Sequence, residues 1–405
     1  MLVVRALSFL GGALISAGTL GSVIRTVIIP RAVPSRLSSV LELLTERGAG
    51  LIANASRTYA DRDRRLAYAA PSFLVVRLAA WIGLLVFGYA LVLWPLMSAS
   101  PGDALRLSAS SLFPLGLATA QTALQTAVVF LETASGVIVV ALQIAYLPTL
   151  YAAFNKRETL VTLLDSRSGS PPWGPEILAR HALIDNLDSL APLYADWEVW
   201  AADLAESHTS YTPLLYFRSP HPLRSWVLAL LAVMDAAALQ LALTPLSAPA
   251  PARPFLRMGI VCLRALCAAA GLPVVEDASP DQPLQLTESE FREAVARMTK
   301  AGWAMDRSPE EGWRHFRGWR VNYETMAYAL ARRVDAPPGP WSGTRRGRMQ
   351  SSIVPVRPPH RAPSADTQEI LALTRERQSR RRTGSHQHGA GEEPADDVRP
   401  APGPR

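Results

Sequence analysis

Apolar residues are gathered into long uninterrupted runs in the first part of this chain, whereas beyond about residue 158 they alternate with charges and turn residues. The first run, 6–24, carries no charge and at ~1.5 Å of helical rise per residue can cross a hydrocarbon core of ~30 Å. It predicts a membrane-spanning helix. Arg5 and the small residues around Ser16 and Ala17 also suit a cleaved leader, but Arg25, Arg31 and Arg36 follow like a stop-transfer flank, so the helix is expected to be retained. A second charge-free run covers 78–96, with Arg77 and Trp81 at one end and Trp94 at the other, as snorkelling cations and interfacial aromatics require.

Between Arg106 and Asn155 the only charged residue is Glu132. One helix over that length would measure ~74 Å, too long for a single crossing. Its first half, SASSLFPLGLAT at 108–119, is rich in hydroxyls and broken by Pro114 and Gly116. This predicts a half-membrane helix with a re-entrant turn over 104–119, followed by a third span from about Thr122 to Tyr151, with Lys156 and Arg157 beyond it.

The expected fold class is therefore an all-α membrane protein with three transmembrane helices, a re-entrant segment between the second and third, and a helical cytosolic domain. The segments are a first transmembrane helix at 1–30, a basic linker at 31–71, a pore-like unit at 72–154, the cytosolic domain at 155–335 and a disordered tail at 336–405. The linker's arginines, from Arg31 to Arg65, place it in the cytoplasm by the positive-inside rule, and the N-terminus outside the cell membrane. The run 225–244 is long enough to span, but it contains Asp235 and has arginines on both sides, so a buried core helix is expected. The tail is rich in Pro, Arg, Gly and Ser.

Composition agrees: 49% apolar and 19% charged residues are unusual for a soluble chain. The net charge of +7 is clustered where it suits anionic lipid headgroups rather than nucleic acid. Cys262 and Cys267 match neither a CxxC pair nor a zinc half-site, and free thiols are expected.

Glu132 is the leading functional candidate, because an ionisable side chain at that depth must face protein or water. With Gly136, Val140 and Gln143 it forms one polar, small-residue face suited to a pore wall or to bracing the re-entrant loop. Asp203, Glu206, His208 and His181 lack metal-site geometry and read as surface or capping residues. Trp313, Trp319 and Tyr323, beside Arg314, Arg317 and Arg320, read as an aromatic core edge with snorkelling cations. Phosphate loops, nucleophile elbows and paired carboxylates are lacking, so neither catalysis nor a cofactor is expected.

The order helix, hydroxyl-rich half-helix, glycine turn, helix resembles the pore-loop potassium channels. More specifically, SSLF at 110–113, YLPTLY at 146–151, FRSP at 217–220, GWRVNY at 318–323 and the pair Pro340 and Trp341 resemble a family of actinobacterial membrane proteins described as two-pore-domain-like or potassium-channel-like. The resemblance implies a filter at Pro114, Leu115, Gly116, Leu117 and Ala118. It also implies a homo-oligomer, since one two-span unit cannot enclose a pore, and a monovalent cation as the permeant species. The filter is non-standard: Pro114 offers no hydroxyl to an ion, and Ala118 replaces a glycine whose left-handed backbone a Cβ penalises by ~1 kcal/mol or more. The expected function is an ion channel, potassium- or cation-conducting. The alternative is a non-conducting anchor whose cytosolic domain binds a protein or lipid partner.

Overall fold

The computed structural model describes residues 2–29, 36–113 and 118–343. Among these every regular element is helical. Four stretches are long and apolar enough to cross a membrane: Val3–Ile28, Tyr59–Leu96, Ala123–Ser168 and Trp226–Leu243.

Helix α1 (Leu2–Val23) widens into π-helical turns at Ile24–Ile28. Helices α2 (Arg36–Asn54) and α3 (Tyr59–Leu66) follow, the latter capped by Thr58, whose hydroxyl accepts from the Asp61 amide. Helix α4 (Ala69–Leu93) runs antiparallel to α1, since Ser8 donates to the Leu91 carbonyl at one end and Trp81 Nε1 to Ser22 at the other. The two helices touch through glycine. A Cβ on Gly12 would collide with the Gly88 carbonyl oxygen, and this close approach is the small-residue contact by which apolar helices associate without a hydrophobic drive in lipid.

Helix α5 (Pro101–Leu112) opens with a capping box of Ser100 and Asp103, with Pro101 in the first turn. Its 12 residues span about 18 Å. Helix α6 (Ala123–Ser168) is 46 residues long, about 69 Å, and contains Pro148. It is antiparallel to α4, with Tyr89 bonded to Ser135 and Arg77 stacked near Tyr146. It runs in the same direction as α5: Ser108 meets Glu132, and Leu112 lies under Gly136. Gln125, in the first turn of α6, reaches the Leu96 carbonyl beyond the end of α4 at 2.9 Å. The start of α6 is thus level with the end of α4, and α5 descends beside it by about three turns.

A C-terminal helical domain comprises α7 (Gly174–Leu183), α8 (Leu190–Ser210), α9 (Trp226–Leu243), α10 (Ala252–Ala269), α11 (Glu288–Lys300), α12 (Pro309–Arg320) and α13 (Glu324–Arg333). Helix α9 touches α6, α7, α8, α10, α12 and α13, and all 18 of its residues are buried. In the most apolar windows of the other three candidate spans only 28–39% of residues are buried. Helix α9 has no face left for lipid, so its apolarity belongs to the core. Asp235 on α9 bonds to Arg320, which is wholly buried rather than snorkelling. Arg320 also donates to Glu324 (3.0 Å), the Tyr328 hydroxyl (2.7 Å) and the Trp341 carbonyl (3.0 Å), so every guanidinium nitrogen has a partner. Tyr323 completes the network through Asp235, while Trp313 and Trp319 lie half-buried at the core edge.

Two segment boundaries differ from the sequence reading. The basic stretch after α1 is largely folded: Arg62 pairs with Asp335 at 2.7 Å, Arg218 with Asp63, and Arg333 with Glu46 at 2.7 Å. Ala336 and Trp341 are buried, so the tail begins later than 336, and the region 344–405 lies outside the described residues.

Candidate functional site

Helix α6 buries one face along its first half: Gln125, Glu132, Ser135, Gly136, Val139, Gln143 and Tyr146. Three of the four residues predicted to share a face, Glu132, Gly136 and Gln143, are on it. Val140 is 37% exposed, and Val139 takes the inward position. The helical period, slightly longer than 3.5 residues, decides between these neighbours.

Gly136 is the seat of α5. A Cβ there would stand 2.9 Å from Leu112 Cγ, too close unless the Leu112 side chain or the turn that carries it gives way. One turn earlier, the fully buried Glu132 meets the Ser108 hydroxyl through Oε1. Ser108 is also 2.8 Å from the Val86 carbonyl on α4. A serine hydroxyl has one hydrogen, so if it goes to Val86 the bond to Glu132 must be donated by the carboxyl. Glu132 Oε2 has no hydrogen-bond partner among the described residues. Ser135 donates to the Leu131 carbonyl at 2.7 Å, which leaves Tyr89 to donate to Ser135 at 2.9 Å. Thr133 adds a bond to the Ser111 carbonyl at 3.1 Å. Helices α4, α5 and α6 are thus clasped by hydroxyls around one carboxyl group, within otherwise apolar surroundings.

Of the filter-like residues, Pro114, Leu115, Gly116 and Leu117 lie outside the described residues. Ala118 donates its amide to Ser110 Oγ at 3.2 Å and rests on the Leu93, Ala104 and Leu107 cluster.

Farther along the same face Gln143 is buried, with Oε1 unpartnered among the described residues. Then comes a residue that sequence reasoning misplaced. Arg77 does not snorkel: it is 1% exposed, its guanidinium 5.2, 5.0 and 5.4 Å from the rings of Phe73, Trp81 and Tyr146. Phe73 and Trp81 lie one turn to either side of it, and that i, i±4 aromatic spacing is the signal that could have placed Arg77 on the inner face.

At the far end of α6, Arg157 is buried where this helix enters the C-terminal domain. It pairs with Glu158 at 2.8 Å and donates to the carbonyls of Leu214 (2.8 Å) and Phe217 (2.7 Å). Its Nη1 is 3.1 Å from His208 Nε2, which must accept, so the ring carries its proton on Nδ1 beside Ser207. Burial, reinforced by the Arg157 charge, holds His208 well below the ordinary histidine range, and burial likewise lowers His181. Asp203 pairs with Lys156 at 2.6 Å. Asp203, His208 and His181 thus contact Lys156, Arg157 and the Ile177 carbonyl. Burial pushes both thiols upward, that of Cys267 to about 11.

Comparison with protein-family models, curated proteins and solved structures gave no match in any of the three.

Proposed function

We propose that the chain is an integral membrane protein with three spans, α1, α4 and the first part of α6, and that α5 dips into the same layer as the half-helix of a homo-oligomeric, cation-conducting channel. The observation that carries this reading is the bond between Ser108 and Glu132. A carboxylic side chain at the centre of a span costs ~2.5–3.5 kcal/mol on insertion scales, so its retention there calls for a partner. The partner is on α5, which at 12 residues is too short to cross and runs beside α6 in the same direction. In this reading the N-terminus is outside and the helical domain cytoplasmic, as the arginines of 31–71 favour.

Oligomerisation is supported by the outer face of α4. Ala79 and Gly83, one turn apart, are exposed and border a groove shared with Leu105 and Ala109 of α5, a small-residue surface suited to close helix approach. Glu132 acts as the brace that holds α5 against α6.

Ion flux into liposomes carrying purified protein tests the proposal. Wild type conducts cations above empty vesicles. Glu132→Gln, which keeps a donor for Ser108, retains flux, whereas Glu132→Ala removes the brace, leaves Ser108 with one partner fewer at ~1–3 kcal/mol, and abolishes it. Absence of wild-type flux together with a monomeric mass in detergent would refute the channel reading and leave the membrane anchor.

A further inference from the structure

Where α4 begins, a cavity of about 350 Å³ opens between α2, the end of α3, the first turns of α4 and the end of α13. Its size is within the ~300–1,000 Å³ of small-molecule sites. The floor is apolar, made by Leu66, Ala69, Ala70 and Phe73, and the rim is basic. We propose that this cavity binds a phosphate ester of net negative charge, with the phosphate at Arg47 and Arg332 and an apolar tail along the first turns of α4.

Charge fixes the sign of the ligand. Five arginines line the cavity against three carboxyls, Glu42, Glu46 and Asp335. Burial, and then the Glu46 charge, push the Glu42 carboxyl upward. Three of the arginines are engaged: Arg62 on Asp335, Arg218 on Asp63 and the Tyr59 hydroxyl, and Arg333 on Glu46 with its guanidinium over the Tyr216 ring. Arg47 and Arg332 are exposed and make no ion pair among the described residues. They are the cations left to take an anion, and arginine's planar fork suits a phosphate.

The surroundings say what carries the phosphate. Helix α2 turns Glu42 and Glu46 to the cavity, leaves Val40, Leu43, Leu44, Leu51 and Ile52 exposed at 44–74%, and carries the exposed Arg47 among those apolar residues at helical spacing, at the lip of the cavity. An apolar stripe on a helix that follows directly on one span and borders the start of the next is the pattern of a helix in the membrane interface. That places the arginine rim at the height of lipid headgroups, where an anionic phospholipid supplies both phosphate and tail.

Thermal denaturation of the full-length protein in detergent decides the matter, with phosphatidylglycerol, phosphatidylcholine and inorganic phosphate as separate additions. Phosphatidylglycerol raises the melting temperature by about 5 °C, and phosphatidylcholine and inorganic phosphate do not. The double variant Arg47→Ala/Arg332→Ala melts like wild type without lipid and loses that rise. An equal rise with inorganic phosphate, also lost in the double variant, keeps phosphate recognition but assigns the site to a soluble anion. Equal effects of the two lipids, or a full rise in the double variant, overturn the proposal.

Discussion

His208 is the residue whose protonation the fold resists most clearly, because Arg157 occupies the nitrogen that a second proton would need. Its folded pKa is lowered, so below ~6.5 the unfolded chain binds a proton that the native protein does not, and stability falls as pH drops. The loss can accrue at no more than about 1.4 kcal/mol per pH unit below that point. Melting of the full-length protein at pH 7.5 and pH 5 should show this decline, and His208→Gln, which keeps an acceptor for Arg157 but does not titrate, should shrink it. An unchanged decline in the variant would mean that other groups carry it. Glu132, Gly136 and Gln143 were legible in the sequence because a period and an apolar background suffice to expose them. Arg77 and Arg320 were not. The Asp235 partner of Arg320 is 85 residues away, and no local pattern announces a bond that tertiary structure alone creates.

Among the elements, α1 and α4 are joined where each has least side chain. Gly12 and Gly11 offer a matched comparison. A Cβ on Gly12 would stand 2.8 Å from Leu91 Cβ and 2.9 Å from the Val92 nitrogen, whereas one on Gly11 meets nothing within 4 Å. Gly12→Ala should therefore destabilise the protein by ~1–3 kcal/mol through overpacking. Gly11→Ala should stabilise it slightly by helix propensity, at most ~1 kcal/mol. Detergent melting curves give both, and a Gly12→Ala protein as stable as Gly11→Ala would disprove the contact. Helices α1, α4, α6 and α9 could be read from uninterrupted apolar runs. Helices α2 and α3 could not, because the arginines of 31–71 disguised an amphipathic pattern as a solvated linker. The span read as ending near Tyr151 belongs to a longer helix. Lys156, Arg157 and Glu158 look like a boundary, yet Arg157 is buried and the helix continues to Ser168.

For the whole molecule, the topology makes a prediction that any transmembrane rearrangement would break. Ser98 follows α4 and Thr122 caps α6, and the bond from Gln125 to the Leu96 carbonyl holds the two ends together. Single cysteines at Ser98 and Thr122, in a chain whose native Cys262 and Cys267 are buried, should react with an impermeant maleimide from the same face of the membrane. Labelling from opposite faces would exclude a descending and returning α5. Composition separates an apolar N-terminal part from a more charged C-terminal one, but says nothing of how closely the two are joined. That attachment lies in long-range pairs such as Arg62 with Asp335 and Arg218 with Asp63.

Helix α6 has one further implication. The same rod carries Glu132 near one end and is gripped through Arg157 at the other, by the carbonyls of Leu214 and Phe217. No loop intervenes between the two, and Pro148, which removes one hydrogen bond from the rod, is the joint through which a twist or tilt of the C-terminal helices would have to pass to reach the wall on which α5 leans.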